Sequence, residues 1–205
     1  QLSRLVGLPD APTIVDVRIP DDVALDTRIL PAADHRSHKN VADWARDYAG
    51  KRVVVVCQRG QKLSEGVAAW LRHEGVEAEN LAGGFEAWRD AGGLLASTAK
   101  LPPRDGQGRT LWVTRSRPKV DRIACPWLIR RFIDPKAVFL FVTAAEVTDV
   151  ASRFGATPFD IDGVFWSHRG ERCTFDVVIE EFGLASPALD RLATIVRAAD
   201  TARPD

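Results

Sequence analysis

VVVVCQRGQKLS, residues Val53 to Ser64, joins an apolar run to a helical pattern through a short polar loop, with one cysteine at the join. Val53–Val56 is apolar on both faces, as a strand inside a parallel sheet is. After the loop, Leu63, Val67, Trp70 and Leu71 fall on one helical face, and Gly75 closes that helix. Working outward, residues 13–17 (TIVDV) read as a second buried strand and residues 79–81 as the end of a third. Gly83-Gly84 opens a short helix through Phe85 and Trp88, which Gly92-Gly93 stops. Strand and helix alternate, so residues 1–95 are predicted to form an α/β layer on a parallel sheet.

The placement of Cys57 points to chemistry. A loop that wraps around the thiol brings backbone N–H groups towards the sulfur, with a helix N-terminus behind them. That arrangement favours a thiolate and stabilises an anion beside it. Arg59 and Lys62 add positive charge, and Gly60 permits a turn that a Cβ would obstruct. An isolated cysteine at a strand end is more often a small packed residue; the polar loop argues for a reactive one here.

Residues of about 13–93 resemble a rhodanese domain. Asp16-Val17-Arg18 matches its first-strand motif, Cys57-x-x-Gly60 its active loop, and Leu81-x-Gly83-Gly84-x-x-x-Trp88 its terminal motif. The resemblance implies a five-stranded parallel sheet flanked by helices, with a six-residue loop from Cys57 to Lys62. It further implies that Cys57 accepts a sulfane sulfur from thiosulfate or a similar donor as a persulfide and passes it to a thiol acceptor. Gln58, Arg59, Gly60, Gln61 and Lys62 would then hold the donor, and Asp16 and Arg18 would orient the loop. No cofactor is required for such a reaction. A cysteine phosphatase needs an arginine six places after its nucleophile to clamp phosphoryl oxygens; that place holds Leu63.

Residues 96–108 concentrate small residues, Pro and Gly without periodicity and read as a linker. Beyond it, residues 109–205 are predicted to form a smaller α+β domain. Its expected elements are a strand over 110–114, a short helix from Pro126 at the first helical position, and a strand over 137–142. A helix capped by Thr174 and a last one from Ser186-Pro187 follow. This reading puts Cys125 at a helix N-cap and Cys173 just before another, where helix ends favour thiolate. From Arg109 to Arg131 there are seven basic residues and a single acid, Asp121.

The runs 112–135, 159–176 and 195–201 resemble the C-terminal domain of the chromate-resistance B proteins, a family in which a rhodanese fusion also occurs. That family continues beyond Asp205, so sites needing those residues are expected to be incomplete here. Two ligand sites are candidates in this half. One is a pocket for a sulfate- or chromate-like oxyanion held by Arg115, Arg117, Arg122 and Arg130. The other is a metal ion held by Asp121, Cys125, His168 and Cys173. Equally, the arginines can form a solvated face, with the cysteines packed.

Composition sets the frame for these readings. The chain has 205 residues, and 28 basic side chains balance 28 acidic ones, so no nucleic-acid partner is expected. No apolar run approaches the ~20 residues of a membrane span, and no signal pattern opens the sequence. Three cysteines with no CxxC pair suit free thiols in a reducing cytoplasm. The chain has no Met, so its natural start is expected to lie outside it. The sequence is silent on oligomeric state. The function expected is a sulfurtransferase linked to oxyanion stress. The alternative is a sensor in which Cys57 records sulfane sulfur or oxidant without turnover.

Overall fold

A computed structural model describes residues 1–201 and divides into two compact units, residues 1–96 and 97 onward. In the first unit, α1 (Leu2–Leu5) precedes β1 (Thr13–Asp16), α2 (Pro20–Leu25), β2 (Asp34–His35) and α3 (Val41–Trp44). A 3-10 turn, β3 (Arg52–Val56), α4 (Lys62–His73), β4 (Glu77–Asn80) and α5 (Gly84–Asp90) complete it. The strands form one parallel sheet in the order β2-β1-β3-β4.

The four valines of β3 show why this strand lies inside the sheet. Val53 and Val55 pack with Val67, Ala68 and Leu71 of α4, whereas Val56 packs on the other face with Phe85 and Trp88 of α5. Both faces are covered, as parallel strands require. Trp70, expected on the apolar face of α4, is exposed; a position one residue before Leu71 lies about 100° away from it around a helix. The sheet has four strands and not five. An isolated antiparallel bridge in this unit joins Ile29 and Ala96, which exchange both backbone hydrogen bonds.

The second unit contains β5 (Leu111–Arg115), α6 (Val120–Phe132), β6 (Val138–Val142), α7 (Val147–Phe154) and β7 (Thr157–Pro158). Two helices follow, α8 (Thr174–Glu181) and α9 (Pro187–Thr201). Strands β6, β5 and β7 pair in parallel in that order. Helices alternate with parallel strands, so this unit is α/β and not the expected α+β. Trp112 of β5 is fully buried, with edge-on contacts to Phe159 and Trp166. Of the stretch 96–108, read as a linker, residues 97–108 group with this unit. The Ser97 N–H donates to the Phe182 carbonyl (2.8 Å), and Asp105 accepts from the Arg109 N–H (2.9 Å) and side chain.

Helix α6 departs most from expectation. Pro126 lies inside it, because the helix begins six residues earlier, at Val120. A proline there removes the N–H that would reach the Arg122 carbonyl and crowds that carbonyl with its ring, and the buried face of Cys125, Leu128, Ile129 and Phe132 holds the helix together. Cys125 is therefore a fully buried mid-helix residue and not an N-cap. Among the described residues, no helix is long and apolar enough to cross a membrane.

Candidate functional sites

Cys57 follows β3 directly, and the loop it opens is tied to α5 through its carbonyl groups. The Cys57 carbonyl accepts from the Phe85 N–H and the Gln58 carbonyl from the Glu86 N–H, each at 3.0 Å. The Gly60 carbonyl accepts from Asn80 Nδ2 at 3.2 Å. Because a trans peptide points its N–H opposite to its C=O, the amides of Gln58, Arg59 and Gln61 face away from those partners.

Two glycines permit this arrangement. Gly60 and Gly84 both have positive φ, +65° and +60°. A Cβ on Gly60 would overlap the Gly84 backbone, and a Cβ on Gly84 would overlap the Gly60 amide and the Cys57 carbonyl. The loop motif and the Gly-Gly motif are thus two sides of one backbone contact.

The sulfur of Cys57 lies 3.1 Å from Ser64 Oγ and 3.6 Å from the Gln61 carbonyl oxygen, to which it donates. Cys57 lines a pocket of about 340 Å³ together with Gln58, Arg59, Gln61, Lys62 and Leu63 of the loop and first turn of α4. Asp22 and Leu25 of α2 and Glu86 of α5 complete its lining. The expected loop residues other than Gly60 therefore gather around one space. Gly60 does not line it and instead packs against the backbone of Gly83 and Gly84. Sequence reasoning missed Asp22, Leu25, Ser64 and Glu86. Pro20 followed by two aspartates is a helix-start signature that could have located α2, and Ser64 lay within the quoted stretch.

Asp16 and Arg18 form a buried ion pair. Arg18 Nε donates to both Asp16 carboxylate oxygens at 3.2 and 2.9 Å, Nη1 to the Asp26 carbonyl at 3.0 Å and Nη2 to the Arg28 carbonyl at 2.8 Å. The guanidinium also lies 3.8 Å over the Phe85 ring. The pair fixes the segment that follows α2, together with the residue whose N–H holds the Cys57 carbonyl. Its influence on the loop runs through those neighbours.

In the second unit the four arginines do not converge. Arg115 donates to the Asp160 carbonyl at 3.4 Å and Arg122 pairs with the Asp160 carboxylate at 3.3 Å, but Arg130 donates to the Ala137 carbonyl and lies over Phe139. Arg117 is exposed. Arg122 and Arg130 are two helical turns apart, roughly 12 Å along the axis. The expected thiolates are also corrected. Burial, followed by the nearby Asp121 charge, pushes both the Cys125 and Cys173 thiols up, away from ionisation. Cys173 is itself the N-cap of α8, with its backbone N–H donating to Asp176 at 3.0 Å.

The structure gathers carboxylates around His168 instead. Its Nε2 lies 3.4 Å from Asp121, 3.4 Å from Asp160 and 3.2 Å from Asp200. One ligand atom from each of Asp121, His168 and Asp200 falls within 4.8 Å of the others, a group that excludes Cys125 and Cys173. Asp121 is fully buried, and burial together with the charges of Asp200 and Asp160 raises its carboxyl to about 6. Asp160 and Asp200 were not among the expected site residues; they lie far from Asp121 in sequence and carry no local motif.

The α/β layer and the cysteine loop define a rhodanese-type domain. Residues 1–91 match the rhodanese-like domain model, and residues 112–205 match the model of the ChrB C-terminal domain. The chain belongs to the rhodanese-like family through its first unit, and its second unit is similar to the ChrB C-terminal domain. It is 36% identical to thiosulfate sulfurtransferase GlpE of Pseudomonas syringae pv. syringae over 37% of this chain and 71% of that protein. It is 39% identical to protein ChrB of Cupriavidus metallidurans over 53% of this chain, but spans only 32% of that relative's length. A solved rhodanese-like domain protein from Staphylococcus aureus is 29% identical over 40% of this chain and 78% of that one, with a TM-score of 0.35.

Proposed function

We propose that the first unit is a sulfurtransferase that carries sulfane sulfur as a persulfide on Cys57. The observation that supports it most is the tying of the loop carbonyls to α5 and β4, which turns loop amides away from those partners around a pocket that Cys57 lines. With thiosulfate, the Cys57 thiolate attacks the outer sulfur, the S–S bond breaks, and sulfite leaves with the electron pair. The terminal sulfur of the persulfide then carries negative charge, which loop amides, Arg59 and Lys62 can stabilise. A thiol acceptor, as its thiolate, attacks that sulfur and releases Cys57 as thiolate. Ser64 can donate its hydroxyl hydrogen to Cys57 in this form.

The ChrB-type second unit supports a role connected with chromate or a related oxyanion stress, in the cytoplasm where thiol acceptors are abundant. Arg115 and Arg122, which share Asp160, are the arginines that remain candidates for oxyanion contact. A sensor reading has one observation in its favour. Cys57 is only 4% exposed, and its S–H is engaged with a carbonyl. Turnover separates the two readings. The enzyme releases many equivalents of sulfite per chain from thiosulfate and a dithiol, whereas a sensor stops at one.

A further inference from the structure

We infer that Asp121, His168 and Asp200 form a binding site for one divalent first-row transition cation, in the range from Mn2+ to Zn2+. Three elements deliver the ligands: Asp121 from the first turn of α6, His168 from the loop before α8, and Asp200 from the end of α9. The His168 Nε2 distances to Asp121 and Asp200, 3.4 and 3.2 Å, exceed the roughly 2.7–2.9 Å of a charge-assisted hydrogen bond. They match the edge of a coordination tetrahedron, which is about 3.3–3.4 Å for bonds of about 2.0–2.1 Å.

A second observation at the same place is independent of this clustering. Asp121 is fully buried, and its two carboxylate oxygens are held differently. Oδ2 accepts from the Thr174 and Phe175 N–H groups at 2.5 and 3.4 Å, while Oδ1 is buried without a hydrogen-bond partner. A native interior seldom leaves a carboxylate oxygen unpartnered; Oδ2 is the oxygen that lies 3.4 Å from His168, and a cation held by this carboxylate can partner Oδ1 as well. Asp160 stands beside the triad with its carboxylate already held by Arg122 and by the Thr174 hydroxyl (2.8 Å), so it adds charge and fixes position without being needed as a ligand.

The donor set selects the ion class. Two carboxylates and one imidazole, with no thiolate, suit borderline to hard divalent cations and disfavour Cu+. The side chain of His168 is 40% exposed, which gives an ion a way in from solvent. Three protein ligands also leave a coordination position for water.

The test uses the full chain, stripped with a chelator and then titrated calorimetrically at neutral pH with Mn2+ and, separately, with Zn2+. One equivalent should bind saturably with at least one of the two, and the melting temperature should rise with free metal by mass action. His168→Gln and Asp200→Asn, at positions partly open to solvent, should each weaken binding at least ten-fold without altering the far-ultraviolet circular dichroism. Cys125→Ser combined with Cys173→Ser should leave the affinity unchanged. Equal binding by the His168→Gln and Asp200→Asn variants, loss of binding with the cysteines, or no saturable binding of either ion would each overturn the assignment.

Discussion

Cys57 has two oxygen neighbours of different character, a carbonyl that can only accept and the Ser64 hydroxyl, which can turn. When the proton leaves, only the hydroxyl can change from acceptor to donor. Hydrogen bonds to charged groups contribute about 1.5–3 kcal/mol, so Ser64→Ala should slow persulfide formation from thiosulfate roughly ten-fold or more, with little loss of stability. An unchanged rate in a rapid-mixing assay would reduce Ser64 to packing. The other thiols should behave differently. Cys125 and Cys173 are fully buried, and burial raises the Cys125 pKa well above its ordinary value, so the Cys125 thiol stays protonated from pH 7 to pH 9. Native protein treated with iodoacetamide should therefore be alkylated at no more than Cys57, and at all three cysteines only in denaturant. The importance of Cys57 was legible because its strand, loop and helix are contiguous. Cys125 was misread because Pro126 is a strong local start signal, overridden here by a buried face that runs across it.

At the scale of elements, the first unit depends on a loop and a helix start that meet backbone to backbone. Gly84→Ala should fail at both ends. A left-handed residue with a Cβ costs about 1–2 kcal/mol by itself, and here that Cβ also overlaps the Gly60 amide. The expected result is a loss of about 2 kcal/mol or more, measured by urea unfolding, together with loss of sulfur loading. Gly50 is the control, because it too has positive φ, +73°, but its Cβ would meet open space. Gly50→Ala should cost only that left-handed penalty of about 1–2 kcal/mol and keep full loading. Arg18→Ala removes one partner of a buried pair, a change that costs about 3–5 kcal/mol. It should also weaken loading by releasing the segment after α2. Both glycine motifs were visible in the sequence, but their contact was not, because more than twenty residues and a strand separate them. Likewise β2 and β7, two residues each, are too short for periodicity to reveal.

For the whole molecule, each candidate site is built from residues of a single unit. Cys57, Ser64 and the loop belong to residues 1–96, and Asp121, His168 and Asp200 to the unit that follows. Damage to one should therefore leave the other intact. Cys57→Ser should bind metal as the unaltered chain does, and His168→Gln should load sulfur as fast as the unaltered chain. Reciprocal loss, seen by calorimetry and by loading rate on the same preparations, would mean that the units share a site. The parallel layer of the first unit was legible from period and punctuation alone. The His168 cluster was not, because its four members come from three segments far apart in sequence, two helix ends and one loop, and only the tertiary fold joins them. The most direct measurement is the intact mass of the full chain after incubation with thiosulfate and removal of excess donor, beside Cys57→Ser treated in the same way. The unaltered chain should gain the mass of one sulfur atom, reversibly by a thiol, and the serine variant should gain none. Equal gain by both proteins, or gain by neither, would contradict a persulfide carried on Cys57.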